Sequence, residues 1–135
     1  MISTGPMEDR LAIRELVESY NHAVMQFDEE AWASNWTDDA IWDTGNGEMK
    51  GKDVFVPVWR EAMSGFSFVG FFASAGPIQV TGDQAQATWY QQEFLHQKDG
   101  GKLNITGQYE DEYQKAGGRW YFTKRVYKIL NMDQS

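Results

Sequence analysis

The side chains able to move protons or hold a ligand are few and widely spaced. The chain carries two histidines, His22 and His96, and no cysteine. Thiol nucleophiles, disulfides and thiolate metal sites are therefore excluded. The two histidines lie far apart in sequence with no carboxylate at ligand spacing. No HExxH or HxExH string occurs, so no metal is expected. Gly65-Phe66-Ser67-Phe68-Val69-Gly70 is not a nucleophile elbow, and Gly45-Asn46-Gly47 is not followed by a phosphate loop, so no cofactor is expected either.

What remains is acid–base and hydrogen-bond chemistry. His22 is a displaced base if its helix turns it inward, and a boundary histidine if not. His96 falls two residues before Lys98, near a turn, and reads as solvated. Tyr109 could donate a hydrogen bond to a carbonyl or enolate, or be a core tyrosine bonded to a neighbour. Tyr20 poses the same choice on an apolar helix stripe. Glu93 would be a base if burial raised its pKa, and a surface or dimer-facing group if its strand turned it outward. Asp111, within Glu110-Asp111-Glu112, is expected to form an ion pair with Arg125 or Lys124 on the following strand.

The elements that must position these groups follow from periodicity. Pro6, Glu8 and Asp9 suit a helix start. Leu11, Ile13, Leu16, Val17, Tyr20, Ala23, Val24 and Phe27 then recur at helical spacing. Asp28 reads as the N-cap of a short second helix through Trp36. Ala40 to Asp43 reads as a strand, with Asp43 pointing away from Trp42, and Glu48 to Lys50 as its antiparallel return. Asp53 is the expected cap of a third helix, with Val54, Val58, Trp59 and Met63 on one face.

From Phe66 the period becomes two. Four long strands are expected at about 67–81, 84–98, 102–115 and 119–130, separated by Gly-rich turns. Gly76-Pro77 marks a bulge or kink. Leu103, Ile105, Gly107, Tyr109 and Asp111 share one face of the third long strand, and Thr123, Arg125, Tyr127 and Ile129 one face of the last. The strand around Trp89 cannot be oriented: Thr88, Tyr90, Gln92 and Phe94 oppose Trp89, Gln91, Glu93 and Leu95. Helices first and sheet second is an α+β pattern. Residues 1–6 read as a tail and 7–131 as a single domain.

Bulk properties narrow the partners. At 135 residues the chain can bury a core without covalent staples. A net charge of −8 opposes binding to nucleic acid or an anionic membrane. No apolar run reaches membrane-span length, and Met1 to Arg10 does not read as a signal peptide, so a cytoplasmic location is expected. Six tryptophans in so short a chain point to rings that line a cavity as well as fill a core.

The order of elements resembles the SnoaL-like branch of the nuclear-transport-factor-2-like superfamily, which has a cystatin-like fold. The strings that carry the resemblance are Ala12-Ile13-Arg14-Glu15-Leu16 with Tyr20, and Trp36-Thr37-Asp38-Asp39-Ala40-Ile41-Trp42. Gly107-Gln108-Tyr109-Glu110-Asp111-Glu112-Tyr113 and Gly118-Arg119-Trp120-Tyr121-Phe122 complete the set. The branch includes polyketide cyclases, scytalone dehydratase and hexachlorocyclohexane dehydrochlorinase.

The resemblance implies three N-terminal helices on a strongly curved antiparallel sheet, forming a cone-shaped barrel with one cavity. It implies a homodimer and a small hydrophobic, aromatic or polycyclic ligand, turned over by isomerisation, dehydration or cyclisation. The family's Asp/His pair is replaced here by Met25 and by Phe71 or Phe72, which cannot exchange protons. Tyr109, Tyr20 and His22 are then the catalytic candidates. Met25, Trp42, Trp59, Phe71, Tyr90, Ile105 and Tyr127 are the expected lining. The alternatives are a non-catalytic binding or assembly module and a partner subunit of an oxygenase.

Overall fold

Helix α1 spans Met7–Gln26 in the computed structural model, which describes residues 1–135. It buries Ile13, Leu16, Val17, Tyr20, Ala23 and Val24, a stripe at three- and four-residue spacing. Leu11 and Phe27 fall off that stripe and are exposed. Phe27 ends the helix in the left-handed conformation, φ 55°. Asp28 caps α2 (Glu29–Ala33) by accepting from the Ala31 amide at 3.0 Å, as expected.

Helix α3 (Lys52–Met63) starts differently from the expectation. Its cap is Gly51, at φ 96°, and the Asp53 side chain makes no cap bond. Its buried row is Phe55, Trp59 and Met63, an i, i+4 series, whereas Val54 and Val58 are exposed.

Six strands follow this helical layer in space: β1 (Trp36–Asp43), β2 (Glu48–Lys50), β3 (Phe66–Thr81), β4 (Gln84–Gln97), β5 (Lys102–Ala116) and β6 (Arg119–Gln134). They form one sheet in the order β2-β1-β6-β5-β4-β3. The fold is α+β as expected, but the sheet is mixed: β1 and β6 pair in parallel. No hairpin joins these two strands. The chain between them runs through α3 and four strands, ample for a parallel crossover. The sheet is also open at β2 and β3 rather than closed into a barrel. No helix is long and apolar enough to cross a membrane.

Curvature can be read from one side chain. The Tyr20 ring lies 6.2 Å from Trp36 on β1 and 6.0 Å from Phe71 on β3. A flat sheet would hold those strands about 19 Å apart, four spacings of roughly 4.8 Å. Both walls therefore bend towards α1. A register shift between Ala75 and Ile78, at Gly76-Pro77, supplies one bend. A second shift at Thr123 changes the parity of β6, so that Phe122 and Arg125 are both fully buried. The shift takes Thr123 off the single face expected for Thr123, Arg125, Tyr127 and Ile129; the other three still pair with Asp111, Tyr109 and Gly107, and Ile129 is exposed. The N-terminal tail is tied down, with Thr4 bridging Gln79 on β3.

Candidate functional site

All six tryptophans are buried, and four of them, Trp32, Trp36, Trp42 and Trp59, join Phe55 and Tyr20 in a continuous ring cluster. Trp32 stacks on Trp59 at 4.7 Å and meets Trp42 edge-on at 5.3 Å. This cluster stops short of filling the space between helices and sheet. A cavity of about 340 Å³ remains, walled by α1, α3, the end of β1 with its following turn, and the inner face of β3 to β6. Its volume lies at the small end of the range for ligand pockets, about 300–1,000 Å³. Of its 17 lining residues, 14 are hydrophobic, so a polar group there has a distinct role.

Tyr20, Trp42, Trp59, Phe71, Ile105, Tyr109 and Tyr127 line it, as the sequence suggested. Three other suggested residues lie elsewhere. His22 is exposed: two residues from Tyr20 and Val24, it sits on the opposite flank of the helix. Met25 is only partly buried and packs against the core outside the cavity wall. Tyr90 is 48% exposed on the outer face of the sheet. The register of β4 explains this, because Trp89, Gln91, Glu93 and Leu95 take the inward positions. His96 sits at the end of β4, its ring 5.0 Å from Phe68.

The same register turns Glu93 into the cavity. It is the only carboxylate in the lining, and no lysine, arginine or histidine accompanies it there. Its partners are neutral. Tyr127 Oη donates to Glu93 Oε1 at 3.1 Å, and Gln91 Nε2 donates to the same oxygen. Gln91 Nε2 also donates to Tyr127 Oη at 3.0 Å, which closes a three-residue ring of hydrogen bonds. Oε2 has no protein partner. Burial pushes the Glu93 carboxyl above the ordinary glutamate value, and the two donors offset this only in part.

The phenols around it are protonated. Burial raises Tyr20, Tyr109 and Tyr127, and for Tyr127 the neighbouring Glu93 charge raises it further. The Tyr109 and Tyr127 rings lie 4.9 Å apart, and Tyr20 meets Tyr109 edge-on at 6.4 Å. The site thus combines one carboxylate of raised pKa with neutral hydrogen-bond donors in an apolar wall.

Beside the cavity lies a second, closed polar group. Arg125 and Asp111 have fully buried side chains and form the expected ion pair, Nε to Oδ1 at 2.8 Å and Nη2 to Oδ2 at 3.2 Å. Tyr113 Oη donates to Asp111 Oδ2 at 2.5 Å and accepts from Trp89 Nε1 at 2.9 Å. The guanidinium lies over the Tyr109 ring at 3.6 Å and the Tyr20 ring at 4.5 Å. Burial alone would depress Arg125, but Asp111 holds it charged. Burial pushes Asp111 up against the pull of Arg125 and the Tyr113 hydroxyl.

Comparison with known proteins agrees with this fold. A family model described as a SnoaL-like domain matches residues 6–126. Among solved structures, the chain is similar to a Novosphingobium aromaticivorans protein provisionally described as an aromatic ring hydroxylase. The TM-score is 0.90 at 25% identity, over 98% of this chain and 96% of that one. It is similar to a type 2 hexachlorocyclohexane dehydrochlorinase, with a TM-score of 0.87 at 20% identity over 96% and 90%. It is also similar to a Novosphingobium aromaticivorans protein provisionally described as a scytalone dehydratase, with a TM-score of 0.87 at 18% identity over 94% and 87%. No curated protein sequence matches the chain.

Proposed function

The chain belongs to the SnoaL-like domain family, and from that premise we propose that it binds a small, neutral, hydrophobic carbonyl compound and moves a proton on it. Glu93 is the acid–base group of this reading. The observation that carries it is the placement of Glu93: a lone carboxylate of raised pKa on an apolar cavity wall, with one oxygen held and the other free. A base poised in this way is what proton abstraction next to a carbonyl requires.

The chemistry is an enolisation. Glu93 Oε2 takes a proton from the carbon beside the carbonyl. The C–H electron pair forms a C=C bond and the carbonyl π pair moves onto the oxygen, where a neutral phenol, Tyr109 or Tyr20, donates a hydrogen bond to the developing enolate. If the substrate carries a β,γ double bond, the enolate is a dienolate, and protonated Glu93 returns the proton to its γ carbon, which completes an isomerisation. If a leaving group departs from the enolate instead, the same start gives dehydration or elimination. The aromatic walls favour a ring-bearing substrate. The lack of any lining cation disfavours an anionic one, since a second negative charge beside Glu93 would be uncompensated.

Phe71 supports one alternative. It is one of the two residues, Phe71 or Phe72, that the resemblance matches to the family's base, and it leaves that wall apolar, as a binder without catalysis would have it. Solvent exchange separates the two readings. In D2O, the wild-type protein is expected to speed deuterium incorporation next to the carbonyl of 2-tetralone. Glu93→Gln is expected to lose about 100-fold or more of that rate while still binding the ketone. Equal rates in the two proteins would reject Glu93 as the base and leave the binder.

A further inference from the structure

On the cavity face of β5, Gly107 stands between Ile105 and Tyr109. It is buried and paired on both sides, with Gln91 on β4 and Ile129 on β6. A glycine inside a paired strand weakens it and packs nothing. The backbone does not demand one here, because Gly107 is not among the glycines with left-handed φ. What it supplies is room. A Cβ at this position would lie 2.7 Å from Tyr127 Oη and 2.8 Å from Tyr127 Cζ, far inside the contact distance of about 3.5 Å.

The ring in that space makes a long reach. Tyr127 belongs to β6, and its direct partner on β5 is Tyr109. Its hydroxyl nevertheless bonds to Gln91 and Glu93 on β4, two strands away. Crossing two strand spacings means covering roughly 10 Å, and the path runs diagonally over residue 107.

We propose that Gly107 is a positioning residue of the site: its missing side chain forms the seat of the Tyr127 phenol, and from that seat alone the hydroxyl reaches Gln91 and Glu93. Gln91 shares the task. Its nitrogen donates to both the phenol and the carboxylate, so the three side chains lock one another with Glu93 Oε1 fixed and Oε2 turned free. This assignment rests on the reading of Glu93 as the working group, and it says what holds that group in place. Neither Gly107 nor Gln91 touches the reacting atoms in this scheme.

The titratable groups that face Glu93 are Tyr127 on β6, Tyr109 on β5 and Tyr20 on α1, all neutral phenols. From β3 and α3 the neighbours are Phe71, Trp59 and Met63, which carry no charge. Arg125 and Asp111 neutralise each other. The Tyr127 hydrogen bond favours ionised Glu93, so losing it should raise the pH at which the carboxyl titrates.

The test is the 13C carboxyl NMR titration of Glu93 in the ligand-free, full-length protein, with the signal identified by its loss in Glu93→Gln. Tyr127→Phe and Gly107→Ala are each expected to move the midpoint upward by about 0.5–1 pH unit, the equivalent of one hydrogen bond. The double variant should move it no further than Tyr127→Phe does. Gly70→Ala is the control: its Cβ would make only ordinary contacts, 3.4 Å and more, with Phe94 and Phe68. It should leave the midpoint in place. A folded Gly107→Ala protein with an unmoved midpoint overturns the proposal. If Gly107→Ala does not fold, adding Tyr127→Val should restore folding, because the ring that clashes is gone. Failure to restore it also overturns the proposal. A failure of Glu93 as the base would appear separately, as deuterium exchange that survives Glu93→Gln.

Discussion

Asp111 and Glu93 project from adjacent strands onto the same inner face of the sheet, yet their surroundings differ in kind. Asp111 is met by a guanidinium along two bonds and by a tyrosine hydroxyl, and its side chain has no exposure at all. Glu93 is met only by an amide and a phenol, both on one oxygen, and its other oxygen has no protein partner. A buried carboxylate with a matched cation is closed: its charge is neutralised and nothing is left to react. A carboxylate with only neutral donors keeps an unbalanced charge in an apolar wall, which is the arrangement that raises a pKa and makes a base. The two positions separate structure from chemistry within one sheet.

The largest effect should come from breaking the closed pair. Asp111→Ala leaves Arg125 buried and uncompensated, and is expected to cost about 3–5 kcal/mol of stability in urea unfolding. The double variant Asp111→Leu/Arg125→Met should recover most of that loss, because it removes both charges together. A double variant as unstable as the single one would show that the pair contributes more than mutual neutralisation.

At Glu93 the expected pattern is reversed. Glu93→Gln should cost activity, as described above, but leave the fold intact or firmer. The wild-type exchange rate on 2-tetralone should rise with pH as Glu93 ionises, with its midpoint above the ordinary glutamate value of 4.5. A pH-independent rate would contradict the assignment. The smallest effect belongs to the outer face, where Glu110 accepts from Thr88 at 2.9 Å and from Gln108 at 2.7 Å. Glu110→Gln should change stability by no more than about 0.5 kcal/mol, since exposed polar pairs contribute little.

Much of the fold was legible because long strands and an amphipathic helix carry strong periodic signals. Tyr20 and Tyr109 sit where helical and strand spacing place them, and the Asp111–Arg125 pair follows from cross-strand alternation. What escaped the sequence was parity. Residues 88–95 have bulky apolar groups on both faces, so alternation alone cannot choose between Tyr90 and Glu93. The choice is fixed by pairing: Phe71 faces Glu93 across one ladder and Ile105 faces it across the other. A clue was available in Trp89 and Leu95, which flank Gln91 and Glu93 on one face and are both buried. The bulge at Thr123 had no comparable signal, since no glycine or proline marks it. His22 was misplaced for a simpler reason: two residues along a helix turn a side chain through just over half a turn, to the opposite flank. The parallel pairing of β1 with β6 is a long-range event that no local pattern encodes.

The stability of Glu93→Gln relative to wild type, measured across pH, addresses the central claim most directly and needs no substrate. Glu93 has a folded pKa above its unfolded one, so its contribution is fully present below the unfolded value. That contribution is lost as pH rises through the folded value. The two proteins should therefore converge in stability at acid pH, and Glu93→Gln should become the more stable by about 1 kcal/mol near neutrality, as substitutions that relieve a strained site commonly do. A glutamine variant that is less stable than wild type at neutral pH, with the gap closing in acid, would mean that Glu93 is a structural carboxylate whose ionised form the fold stabilises.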